Sequence, residues 1–444
     1  MIKMAEKTKD RFWMFFWLII LILLIVAPMV LFLVDRPPAR EFWREFAVAL
    51  GFLGLSLMGL QFIPTARLPH LLKTFPVDTL YRVHHWSSIT SFALILAHPL
   101  VLVLNNPNVL RLFNLPEAPW RARAGVTAVL MLIALVVLSV WRQGLKVQYE
   151  AWHWTHIILS LGAMGLTYWH IFGVGYHTGV PSQRVLWIGY GVVWGAIVLY
   201  TRLIFPLRQR ATPYEIVEVT PMRGDSWTLE LAPRGHDGFR FAPGQIAWLT
   251  INHSPFLVRT HPFSLASSAE RRETYKFTIK ELGDFTSRIE EFSPGTPVYL
   301  DGPHGTFSID RYPAPGYIFI GGGIGSVPMI SMLRTMADRE DQRPVIFFYG
   351  NYSWDSVVFR DELQELEERL KLTMVHVVEE PPEGWEGEVG FITQEVLRRH
   401  LPEETEEWVV FLCGPIAMIP FVEDGLLEVG ISPRQIHSEL YHMA

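Results

Sequence analysis

One cysteine in 444 residues, Cys413, leaves no partner for an intramolecular disulfide and no thiolate cluster for zinc or iron-sulfur binding. Any metal this chain holds must lean on histidine. A net charge of -6 gives no sign of the clustered basic surface that nucleic acids require, so that partner class is excluded. The basic start "MIKMAEKTKDR" precedes an apolar run longer than the roughly 7–15 residues of a signal-peptide core, and no small-residue cleavage site follows. The run is expected to stay attached as an anchor. Charge is scarce before residue 210 and concentrated after it, which divides the chain into two unlike halves.

Six long apolar stretches fill the first half, at 12–34, 46–66, 86–104, 124–141, 157–172 and 185–201. With amphipathic ends, each approaches the roughly 20 residues a helix needs to cross the hydrocarbon layer. Six membrane spans are therefore expected. With both ends of this region on the cytoplasmic side, the inner segments carry twelve Lys and Arg from Lys3 to Arg210, and the outer ones seven from Arg36 to Arg184. The positive-inside bias thus puts the polar half in the cytoplasm.

Histidines inside spans are disfavoured by lipid and by default mark a site. His84 and His98 are 14 residues apart, as are His156 and His170. Fourteen helical steps return to within about 40° of the starting direction while rising roughly 21 Å, so each pair lies on one helix face at two depths. The third and fifth spans run in the same direction, which sets His84 level with His156 and His98 level with His170. Facing imidazoles at two levels are able to ligate the axial positions of two stacked b-type haems. His85 and His153 compete as ligands, but their spacings of 13 and 17 residues to the deeper histidines match the helical phase poorly. His177 and His253 fall in expected loop and soluble regions and carry no such reading.

After "TRLIFPLRQR" the pattern turns to short alternating segments such as "SWTLELAP", "YKFTIKEL" and "TPVYLDGP", separated by glycine and proline. This is the mark of an antiparallel sheet or small barrel. From Tyr317, buried strands alternate with helical stretches, which implies a parallel sheet. The expected division is a six-span bundle at 1–210, a β-barrel domain at 211–313 and an α/β domain at 314–444, with "RYPAPG" near the second junction.

Within the barrel, "RTHPFSLASS" offers an aromatic face, Phe263, beside a hydroxyl, Ser264, which suits a planar isoalloxazine. "KELGDFTS" places Gly283 near Thr286, able to cradle a pyrophosphate. In the α/β domain, "FIGGGIGSVP" sets Gly321, Gly322, Gly323 and Gly325 between a strand and a helix, where backbone amides approach phosphate closely. Pro328 stands where a G-x-G-x-x-G motif has its third glycine. "FLCGP" ends another strand at the ligand edge of a parallel sheet, where Cys413 is able to lie near a nicotinamide ring or to serve as simple packing, and Tyr441 is able to cover a flavin face.

Together these residues resemble the ferric reductase and NADPH oxidase family over nearly the whole chain, as a minimal, prokaryotic-like member. The resemblance implies a six-helix haem domain joined to a ferredoxin-reductase-type dehydrogenase. It implies haem ligation by His84, His98, His156 and His170. FAD falls to His261, Pro262, Phe263 and Ser264 with Gly283, Asp284, Phe285 and Thr286; "DGPHG" at 301–305 also belongs to the pattern. NADPH or NADH falls to Gly321, Gly322, Gly323, Gly325, Ser326 and Pro328 with Cys413, Gly414 and Pro415. Ser264, Cys413 and Tyr441 are the residues expected nearest the hydride transfer.

Two departures stand out. Related oxidases often carry a further histidine where this chain has Leu102, and NADPH-preferring members often have arginine where this chain has Tyr352. The expected activity is electron transfer from cytoplasmic NAD(P)H through FAD and two haems to dioxygen at the outer face, giving superoxide. Ferric chelates are the next acceptor, followed by a quinone or periplasmic protein partner. A haem-free anchor carrying a flavin reductase is the remaining alternative.

Overall fold

The structure is a computed structural model. It describes residues 2–72, 74–75, 77–257 and 259–440, with side chains described outside 2–11, 69–70, 78 and 440. Two compact units divide the chain, Met1–Pro206 and Leu207–Ala444.

Among the described residues, six helices are long and apolar enough to cross a membrane. They are Phe12–Val34, Phe42–Thr65, Thr79–Asn105, Trp120–Val140, Tyr149–Val174 and Pro181–Ala211. Several extend beyond the apolar runs that announce them. Hydropathy registers only the lipid-facing length, whereas the backbone continues its own hydrogen bonding through polar terminal turns. Both His84 and His156, which precede the third and fifth apolar runs, consequently lie at least one turn inside a helix.

Aromatic packing joins the first, second and sixth spans. Trp187 is fully buried and stacks on Phe52 at 5.2 Å between ring centres, with Phe32, Tyr190 and Trp194 in the same cluster. His177, read from sequence as a loop residue, is only 4% exposed. It meets Glu45 at 2.9 Å and Arg40 at 3.3 Å, and Arg40 in turn lies 3.8 Å over Tyr176. This cluster ties the segment after the fifth span to the start of the second.

The second unit begins with six antiparallel strands: β1 (Tyr214–Met222), β2 (Ser226–Pro233), β3 (Ile246–Ile251), β4 (His261–Ser264), β5 (Tyr275–Lys280) and β6 (Pro297–His304). Their order is β4-β3-β6-β1-β2-β5. Alternating residues such as Leu229 and Leu231, or Phe277 and Ile279, fill one core. The parallel sheet that follows holds β7 (Tyr317–Gly322), β8 (Val345–Ser353), β9 (Leu372–Glu380), β10 (Glu388–Val389), β11 (Val409–Gly414) and β12 (Ile436–Leu440). Its order, β10-β9-β8-β7-β11-β12, reverses direction between β7 and β11. The carboxyl ends of those two strands therefore flank the crevice where open parallel sheets bind ligands. Apolar strand runs made β7, β8, β9 and β11 legible in the sequence, whereas the two-residue β10 and the polar β12, "IHSEL", were not.

Candidate functional site

The third and fifth spans bring the four histidines together in two pairs. His84 and His156 have ring centres 6.4 Å apart, and His98 and His170 are also 6.4 Å apart. Imidazole–metal bonds run at about 2 Å, and a ring nitrogen lies roughly 1 Å from its ring centre, so two imidazoles on opposite sides of one ion have centres roughly 6 Å apart. Both pairs match that spacing. His85 instead meets Trp86, and His153 meets Tyr149 and Trp152.

The far nitrogens decide the tautomers. His98 Nδ1 lies 2.8 Å from the Ala47 carbonyl, and His170 Nδ1 lies 2.8 Å from the Arg121 carbonyl. A carbonyl only accepts, so each Nδ1 carries the proton and each Nε2 keeps the lone pair that a metal needs. Room for both contacts comes from glycine one helical turn further on. A Cβ at Gly51 would lie 3.3 Å from His98 Nδ1, and one at Gly125 would lie 2.8 Å from His170 Nδ1.

At the other level, His156 Nδ1 lies 3.2 Å from Ser139 Oγ. His84 Nδ1 closes no hydrogen bond, although the Gln61 backbone is near enough to act on the ring. Arg202, in the π-helical stretch Tyr200–Ile204, is near enough to His153 and His156 to act on them electrostatically. The His84–His156 level is thus at the end of the bundle from which the chain continues into the second unit.

In the second unit, β4 pairs with β3 so that Ser264 faces Ile246, which in turn faces His304 on β6. Ser264 is buried, Pro262 is exposed, and His261 stacks face to face on Phe285 at 3.8 Å. Phe263 is 9% exposed and packs in the barrel core, leaving only a small part of its ring for a flavin. The Gly283 turn is self-contained: the Leu282 and Gly283 amides donate to Thr286 Oγ1 at 2.8 and 2.9 Å, with Asp284 exposed beside them. Asp301 and His304 form a buried pair at 2.6 Å against Trp248.

The glycine turn and "CGP" meet at the switch point. β11 pairs with β7 so that Cys413 faces Gly321, and a short 3-10 turn, Gly323–Ser326, leads into the helix Val327–Asp338 with Pro328 in its first turn. Ser326 Oγ lies 2.9 Å from the Gly323 carbonyl and 3.0 Å from the Tyr349 hydroxyl. Met418 packs on Gly322 and Gly414, close to Pro415. On its other side β11 pairs with β12, which sets Glu439 beside Cys413. Sequence reading missed Glu439 because its strand is polar and its place depends on register. Tyr441 lies outside the described residues.

Burial, with the Glu439 carboxylate adding to it, holds the Cys413 thiol well above its ordinary pKa. In the native protein Cys413 is therefore expected to resist iodoacetamide at mildly alkaline pH and to react fully after denaturation, as read by intact mass.

Comparison with known proteins agrees with this layout. Residues 50–167 match the family described as "Ferric reductase like transmembrane component", 213–308 match "FAD-binding domain", and 319–424 match "Oxidoreductase NAD-binding domain". The chain has the ferric reductase/NADPH oxidase-like architecture. A ferric-reductase-like membrane domain is thus joined in one chain to FAD- and NAD-binding domains.

The propane 2-monooxygenase reductase component of Rhodococcus jostii (strain RHA1) is 33% identical over 228 residues, covering 49% of this chain and 60% of that protein. The NADH-cytochrome b5 reductase 1 of Lodderomyces elongisporus is 31% identical over 197 residues, covering 43% and 65%. The chain spans 57% to 65% of the length of the first such relatives. A flavohemoglobin from Malassezia yamatoensis shares the fold at a TM-score of 0.50 and 18% identity, covering 90% of this chain and 99% of that one.

Proposed function

We propose that the chain takes electrons from a nicotinamide dinucleotide on the cytoplasmic side and passes them through FAD and two b-type haems to dioxygen at the outer face, releasing superoxide. The observation that carries this reading is the pair of equal 6.4 Å imidazole separations, one His84 with His156 and one His98 with His170. In three of these four side chains the hydrogen-bond partner of Nδ1 leaves Nε2 free for metal.

Bound FAD supplies the conversion of a two-electron hydride donor into a one-electron source, and bound haem supplies one-electron carriers. The chain's own residues set the geometry. The switch-point crevice between Gly321–Gly325 and Cys413–Pro415 orients the nicotinamide, and Ser264 and Cys413, with Glu439 beside Cys413, are the residues assigned to the hydride transfer. His84 with His156 and His98 with His170 would each hold one haem, and with two protein ligands apiece the haems would supply electrons to an acceptor that takes them without binding the metal. Dioxygen does so as a small neutral molecule. The likeness of the second unit to proteins named NADH-cytochrome b5 reductase supports haem as the electron acceptor of this dehydrogenase half.

A reduced-minus-oxidised visible spectrum of the purified protein, taken after anaerobic addition of NADH or NADPH, is expected to show b-type bands equivalent to two haems per chain. In air, cytochrome c reduction is expected to be largely abolished by superoxide dismutase. A haem-free preparation that retains flavin reduction would overturn the reading in favour of an anchored flavin reductase. A signal insensitive to dismutase, with anaerobic reduction of a ferric chelate, would move the acceptor from dioxygen to iron.

A further inference from the structure

The haem-level histidines sit in a repeated helix pair. The second span serves the third as the fourth serves the fifth: Ala47 O and Gly51 attend His98, and Arg121 O and Gly125 attend His170. Fourteen residues further along the second span are Gln61 and Thr65, and fourteen further along the fourth are Leu135 and Ser139. The hydroxyl of each donates to the carbonyl four residues back, Thr65 to Gln61 at 3.0 Å and Ser139 to Leu135 at 2.7 Å. The repeat breaks at one point. Ser139 reaches an imidazole, whereas His84 Nδ1 has the Gln61 backbone nearby but closes no hydrogen bond.

The Ser139 contact is fully assigned by its neighbours. The single hydroxyl proton is committed to Leu135 O. Trp152 Nε1, a donor only, lies 3.2 Å from Ser139 Oγ and uses one of its lone pairs. Toward His156 Nδ1, also at 3.2 Å, Ser139 is left with its other lone pair and therefore accepts. His156 is held as the Nδ1–H tautomer with Nε2 toward His84.

We propose that Ser139 is a positioning residue that fixes the tautomer and orientation of His156 and thereby sets the midpoint potential of the haem at the His84–His156 level independently of the other. The inference rests on the two-haem reading above. A hydrogen bond accepted from the far nitrogen makes a ligating imidazole more basic, which favours the oxidised metal and lowers its potential. At the His98–His170 level both imidazoles donate to backbone carbonyls. At the His84–His156 level one donates to a hydroxyl already shared with an indole, and the other closes no hydrogen bond. The His84–His156 haem is therefore the one of higher potential, and Ser139 is the only side chain that tunes it through Nδ1 among the described residues.

The test is a spectroscopic redox titration of full-length protein carrying Ser139→Ala or Ser139→Thr, beside wild type. Wild type should give two waves. In S139A the upper wave should move further up while the lower stays in place, and haem affinity at the altered level should fall roughly 10-fold, the low end for loss of a supporting contact. S139T keeps a hydroxyl bonded to the same carbonyl and should restore the wild-type wave. Two haems with both waves unmoved in S139A would overturn the role of Ser139. Movement of the lower wave instead would overturn its assignment to this level. Wild-type protein without b-type bands would overturn the haem reading itself, an outcome separable from either.

Discussion

Replacing His170 with alanine is expected to lower the haem content from two per chain to one, as measured by pyridine haemochrome, and to reduce acceptor turnover by well over 100-fold. Loss of a contact that merely supports a metal ligand costs about 10–100-fold, and here the ligand itself goes. His98 would face an empty position across the 6.4 Å gap, and the Arg121 carbonyl would lose its imidazole partner. The segments that match FAD- and NAD-binding domains, 213–308 and 319–424, contain none of these histidines, so anaerobic bleaching of FAD by NADH should stay within about twofold of wild type.

The matching control is His153→Ala, which removes a histidine whose ring meets Tyr149 and Trp152 and faces no second imidazole at ligand spacing among the described residues. That variant should keep both haems. If His153→Ala loses a haem and His170→Ala keeps two, the ligand assignment is wrong even though the protein is a cytochrome.

The membrane half was readable because lipid imposes two demands that leave traces in sequence: length in apolar residues, and a reason for every polar one. His98 and His170 stand out within apolar runs, and the 14-residue spacing places His84 and His156 on the same faces. What hydropathy missed is polar and terminal, such as the turns at 79–85 and 149–156 that carry His84 and His156 into their helices. The groups that hold the imidazoles were less visible still. Ala47 and Arg121 act through backbone carbonyls, so their side chains say nothing, and the only sequence trace is the glycine four residues later.

In the second half, glycine turns and apolar strands located the crevice, but strand register did not follow from pattern. Register sets Glu439 beside Cys413 and turns the Phe263 ring into the barrel core, two placements that depend on pairing between segments far apart in the chain.

Gly325→Ala is expected to damage the nicotinamide end as severely as His170→Ala damages the membrane end. A Cβ at Gly325 would lie 2.5 Å from the Cys413 carbonyl oxygen, and 2.8 Å from both the Cys413 carbonyl carbon and Gly414 Cα. All three are backbone atoms, so no side chain can swing aside. Overpacking of this kind costs about 1–3 kcal/mol. The displacement must fall on the Gly323–Ser326 turn or on Cys413–Pro415, the two walls of the crevice at the sheet's reversal point.

A misplacement of about 1 Å in a reacting group costs on the order of 100-fold in rate, and that is the expected loss in nicotinamide-dependent flavin reduction by stopped flow. Haem bands produced by dithionite should remain, because reduction by dithionite bypasses the crevice. Gly323→Ala separates close packing from backbone strain. Gly323 has φ +52° but open space for 4 Å around the place a Cβ would take, so alanine there meets only the left-handed penalty of about 1–2 kcal/mol. If Gly325→Ala reduces flavin at the wild-type rate while Gly323→Ala does not, the turn matters for its conformation and not for its approach to Cys413.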